Sequence, residues 1–142
     1  MMTYKRINNI LGWLVFAIAA FTYISTAEPT ASFWDCGEYI ATATKLQVGH
    51  PPGAPTFQLI GRMFSMMAGG DASKIAFMVN VMSALCSAFT ILFMFWSLTM
   101  LIKKLAMRIS KEMTTGVEWA IFGSSMVGAL AYTFTDSFWF SA

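Results

Sequence analysis

Asp35 and Glu38 lie three positions apart in FWDCGEYIATATKLQVGHPPGAP, which runs from Phe33 to Pro55 and also carries Lys45 and His50, the only histidine of the chain. A carboxylate can take a proton from a hydroxyl as a general base. Lys45, His50 and, further along, Arg62 can neutralise a phosphate. The stretch therefore offers a base and cations together, where a lipid phosphate could sit. The same residues also fit a purely structural reading. D-x-x-E matches a helix start, with Asp35 as N-cap and Glu38 at the third helical position reaching back to the backbone.

The elements that must position these side chains are legible in outline. Tyr39, Ala43 and Leu46 recur three to four apart, so a short helix is expected over 38–47. Gly49-His50-Pro51-Pro52-Gly53 should stop it, because proline lacks the amide donor and restricts the residue before it. Pro55 suits the first position of a new helix. Phe57, Ile60, Phe64 and Met67 then predict an amphipathic helix at a membrane surface. Gly69-Gly70 should end it, and Asp71 or Ser73 should cap the long apolar helix after it. Phe33-Trp34 suits the depth at which aromatic residues border a bilayer.

Lipid is the solvent implied by composition. Of 142 residues, 57% are hydrophobic and 11% charged, against about 25% charged in soluble domains, and the mean hydropathy is +0.62. A net charge of +2 gives no basis for a nucleic-acid partner. Cys36 and Cys86 fall in unlike surroundings, one in the polar stretch and one in an apolar run, so no disulfide is expected. One histidine and two dispersed cysteines do not make a zinc site, whereas a divalent cation held by Asp35 and Glu38 stays open.

Three apolar runs predict three membrane spans, at about 10–27, 75–102 and 118–135. Lys5 and Arg6 precede the first run, and Lys103, Lys104, Arg108 and Lys111 separate the second from the third. Basic clusters favour the cytoplasmic side. The N-terminus and a 103–117 loop should therefore be cytoplasmic, and the 28–74 loop should face outward. A cleavable signal peptide ending near Ser25-Thr26-Ala27 is the rival for the first run. Within the spans, Asn80 predicts a helix–helix hydrogen bond. Ala120, Ser124 and Gly128 predict a small-residue packing face, and the Met- and Phe-rich second run predicts a mixture of lipid-facing and packing surface.

The order of these features resembles the GT-C membrane glycosyltransferases, among them the protein O-mannosyltransferases and the lipid A aminoarabinose transferases. Their first outward loop bears an acidic motif just after the first span. A [HK]-P-P motif then leads into a surface helix. Here WDCGEY and GHPPGAP occupy those places, and together with the late DSFWFSA they look most similar to a bacterial multi-pass family related to an animal O-mannosyltransferase.

The resemblance implies that Asp35 is the catalytic base and Glu38 its partner. The two acids are separated by two residues where the familiar pattern sets them side by side, so either is a candidate base. It implies that His50 holds the donor phosphate or fixes the loop, with Lys45 and Arg62 as further phosphate-binding candidates by charge. The implied donor is a polyprenyl-phosphate-linked sugar of mannose type, and the acceptor is a protein or glycan outside the cytoplasm. Membrane lipids are the remaining partner, and the implied location is a bacterial inner membrane.

The expectation is thus an all-α membrane protein with three transmembrane helices and an outward loop of short amphipathic surface helices, the N-terminal part of a larger enzyme and inactive alone. The alternative is a non-catalytic membrane subunit or assembly factor whose loop binds a partner.

Overall fold

The computed structural model describes residues 3–32, 34–51 and 53–141. Phe33 and Pro52, both part of the expectations above, lie outside the described residues. Every regular element described is a helix: α1 Tyr4–Ser25, α2 Cys36–Lys45, α3 Pro55–Met66, α4 Ala72–Ser110, α5 Thr115–Thr133 and α6 Asp136–Ser141. Two compact units are formed, one from Met1–Tyr23 with Cys86–Ala142 and the other from Ile24–Leu85.

In the first unit, α1 buries Gly12, Val15, Ala19 and Tyr23 along one stripe. Trp13, Leu14 and Phe21 face outward. Gly12 is required there, because any Cβ would run into the Trp96 indole. The Tyr23 hydroxyl donates to the Thr133 carbonyl at 3.0 Å. The packed face of α5 is Ile121, Phe122, Ser125, Ala129 and Thr133. Of the small-residue stripe expected at Ala120, Ser124 and Gly128, Gly128 does pack closely, since a Cβ there would lie 3.2 Å from Leu98. Ala120 and Ser124 are exposed instead, and Ser124 turns its hydroxyl back to the Ala120 carbonyl.

α1 and α4 are long and apolar enough to cross a membrane. α5 is not among them. At 39 residues and about 1.5 Å of rise each, α4 outruns a hydrocarbon core of about 30 Å. Its helix continues through Lys103, Lys104 and Arg108, where a loop was expected, and only 111–114 are non-helical. Lysine and arginine end an apolar span, but they are good helix formers and do not end a helix. Thr114 then caps α5 by accepting the Val117 amide.

In the second unit, α3 packs on α2 with its small and polar side. Gln58, Gly61 and Ser65 are buried. A Cβ on Gly61 would lie 2.9 Å from the Ala43 methyl, and Gln58 Nε2 donates to Thr42 Oγ1 at 2.8 Å. The outward face carries Leu59, Met63, Met66 and Met67. Of the expected stripe, Ile60 and Met67 are exposed with this face, while Phe57 and Phe64 are half-buried. Asp71 precedes α4 and accepts from the Ser73 amide at 3.0 Å. Asn80 serves a loop rather than another helix: its amide donates to the Glu28 and Thr30 carbonyls at 2.7 and 3.1 Å.

Candidate functional site

The site is made where the chain doubles back along α2. Leu46 adopts the left-handed conformation at φ 51°. Its amide bonds the Ala43 carbonyl, and the Gln47 amide bonds the Thr42 carbonyl at 2.9 Å. This pairing closes a helix C-terminus, and it stops α2 before the glycine and prolines that were expected to do so. From Glu38 to Leu46 the helix rises about 12 Å. The four steps from Leu46 to His50 reach at most about 14 Å when extended. The returning segment is therefore long enough to bring His50 within reach of the Glu38 side chain.

It arrives there. Glu38 Oε1 accepts the His50 backbone N–H at 2.8 Å, and Oε2 lies 2.9 Å from Nδ1. On the other side of the ring, Nε2 lies 3.6 Å from Asp35 Oδ2. Gly49 leaves room for this, since a Cβ would sit 3.2 Å from Glu38 Oε1. The expected capping box is not formed. Asp35 occupies the N-cap position but its side chain makes no cap bond, and the Glu38 carboxylate is spent on His50 instead.

The electrostatics follow from this geometry. Accepting the His50 amide, and then the imidazole, holds the Glu38 carboxyl below its ordinary value. The Glu38 hydrogen bond and charge, with Asp35 adding to them, hold the His50 imidazole above its own. The arrangement is an imidazole ring between two carboxylates, all three side chains open to solvent. Asp35 is the most exposed, at 61% against 44% for His50 and 41% for Glu38. The three side chains also offer one ligand atom each within 4.8 Å of one another. They are the residues that could hold a divalent cation.

Lys45 and Arg62 are not brought to this cluster. Lys45 ends α2, about 15 Å along the helix from Asp35. The Arg62 guanidinium donates to the Thr44 carbonyl, where a cation suits a helix C-terminus.

Three participants escaped the sequence reading. Tyr39 places its ring edge-on to His50 at 6.0 Å and to Phe57 at 5.3 Å. It lines a hollow of about 270 Å³ with Cys36 and Ile40 of α2, Ala54 and Phe57 at the start of α3, and Val79, Asn80 and Ser83 of α4. Gln58 braces Thr42 behind the cluster, its amide buried at 6% exposure. The one available signal was the spacing of Gln58, Gly61 and Ser65, which puts three small or polar residues on one side of α3. Asn80, read as a helix–helix contact, lines the hollow instead.

The described residues thus define an all-helical protein with two helices long and apolar enough to cross a membrane and an acid–histidine cluster on the segment between them. Residues 35–142 match the family model described as Protein O-mannosyl-transferase TMEM260 N-terminal domain, and the chain belongs to that family. A Dictyostelium discoideum relative named Protein O-mannosyl-transferase tmem260 is 30% identical over 82 residues, covering 58% of this chain and 10% of the relative. The chain thus spans about a tenth of that relative's length. No solved structure matches it.

Proposed function

We propose that the chain is the N-terminal part of the membrane domain of a GT-C-type glycosyltransferase, with its 28–74 loop facing out of the cytoplasm. In this reading it helps move mannose from a polyprenyl-phosphate carrier to a hydroxyl of a protein acceptor. The observation that carries the reading is Asp35 held 3.6 Å from a His50 that Glu38 grips at two points, in a chain of an O-mannosyl-transferase family.

Asp35 accepts the proton of the acceptor hydroxyl as its oxygen attacks the anomeric carbon. The bond from that carbon to the phosphate oxygen breaks, and the electron pair leaves on the phosphate. The His50 ring stands beside the carboxylate and, when protonated, supplies a positive charge for the departing phosphate. The hollow under Tyr39 and Phe57 takes the apolar start of the carrier. The outward apolar face of α3, a short turn before α4, rests in the outer leaflet. α5, at 19 residues and about 28 Å, is the third span.

The test is transfer from a polyprenyl-phosphate mannose donor by the longest native form of the protein, wild type against Asp35→Asn at matched membrane abundance. A loss of about 100-fold or more, the scale of a general base, is the expected result. Full activity in the variant refutes the role of Asp35, and no transfer by either protein favours a non-catalytic subunit.

A further inference from the structure

We infer that the end of the first unit where α1 begins and α4 finishes is a binding surface for anionic phospholipid headgroups. Lys103 Nζ sits 4.2 Å from the centroid of the Tyr4 ring, and Tyr4 stacks on Phe122 of α5 at 4.7 Å. The start of α1 and the last turns of α4 are thereby fixed together. This gathers Lys5, Arg6, Lys103, Lys104, Arg108 and Lys111 at one end.

No ion pair among the described residues uses any of the six. The carboxylates on the neighbouring segments are Glu112 and Glu118, too few to neutralise them. A structural salt-bridge network is therefore not what these cations make.

The helix they stand on has a second property. Leu101, Leu105 and Ile109 recur every four residues and are exposed at 56%, 58% and 77%. Lys104 and Arg108 lie on the adjoining stripe. Exposed leucine beside exposed lysine is unfavourable in water and suits a bilayer boundary, where apolar stems enter the acyl region and cations rise to the phosphates. Trp119, exposed at 58% and edge-on to Phe122 at 6.0 Å, adds an aromatic ring of the type that prefers this depth. Basic sites between helices at the cytoplasmic face bind anionic headgroups in this way. The inference rests on α1 and α4 crossing a membrane, but not on any step of sugar transfer.

Native mass spectrometry of the chain in detergent, with equal phosphatidylglycerol and phosphatidylcholine, tests it. Wild type should retain phosphatidylglycerol preferentially. Lys104→Gln/Arg108→Gln/Lys111→Gln should lose that preference by at least about tenfold, since each cation at an anionic surface counts for roughly fivefold. Lys104→Arg/Lys111→Arg, which keeps the charges, should retain it. Equal retention of the two lipids by wild type, or a preference that survives in the triple glutamine variant, overturns the inference. Displacement of phosphatidylglycerol by millimolar inorganic phosphate would also overturn it, by showing a free-phosphate site. Loss of sugar transfer in the Asp35 experiment leaves this result unaffected.

Discussion

Glu38 grips His50 twice, through the backbone amide at 2.8 Å and through Nδ1 at 2.9 Å. One carboxylate thus sets both the path of the returning chain and the orientation of the ring. Side-chain position and loop position are coupled at a single residue.

The chain has a single histidine, so its imidazole resonances report on His50 alone. In an NMR titration His50 should titrate above its ordinary 6.5, and Glu38→Gln should bring it back toward that value. A raised folded-state pKa contributes stability that is fully present below the unfolded value and lost as pH rises through the folded one. For Glu38 the sign is opposite: its contribution is present above its ordinary 4.5 and lost as pH falls through the lowered value. The loop should be held best between those limits, and hydrogen exchange at the His50 amide, corrected for its intrinsic pH dependence, should speed up on either side.

Asp35→Asn should leave folding unchanged within about 0.5 kcal/mol, because the Asp35 side chain makes no cap bond and asparagine suits an N-cap equally. A melt in detergent checks this. A drop in stability would mean that loss of transfer in this variant reports on the fold rather than on a missing base.

Gly61→Leu should separate α2 from α3, since even a Cβ would meet Ala43 at 2.9 Å. Overpacking of this kind costs about 1–3 kcal/mol. The expected readout is earlier proteolysis in 46–54, where the returning chain depends on α2 and α3 staying together. Unchanged cleavage would show that the two helices can slide apart without loss.

Asn80→Leu removes both amide hydrogen bonds to the Glu28 and Thr30 carbonyls. A hydrogen bond contributes about 1 kcal/mol, so 26–32 should become more accessible to protease while the His50 resonance stays in place. A shifted His50 would show that Asn80 supports the cluster as well as the loop.

Transfer by the longest native form should survive chelation by EDTA, because the proposed mechanism places the His50 ring, rather than a metal ion, beside the base. Inactivation by EDTA with recovery on adding a divalent cation would instead assign Asp35, Glu38 and His50 to that ion.

The amino-acid sequence by itself determined the helical class, the two long apolar helices, the proline start of α3 and the candidacy of Asp35, Glu38 and His50. These depend on local composition, on periodicity along one helix and on residue chemistry, all of which are properties of neighbours in the chain. Tertiary structure decided the partners. Glu38 fits a capping box equally well by spacing, and only the reversal at Leu46, a residue with no sequence mark of a left-handed turn, brings His50 within reach to claim it. Lys45 and Arg62 are phosphate-ligand candidates by charge alone, and it is the fold that sets Lys45 at the end of α2 and Arg62 on the Thr44 carbonyl. The same holds for α3 and α5, whose packed faces are chosen by where Ala43 and the neighbouring helices stand. Which of several compatible partners a side chain meets depends on separations across the fold, and periodicity along one helix carries no information about them.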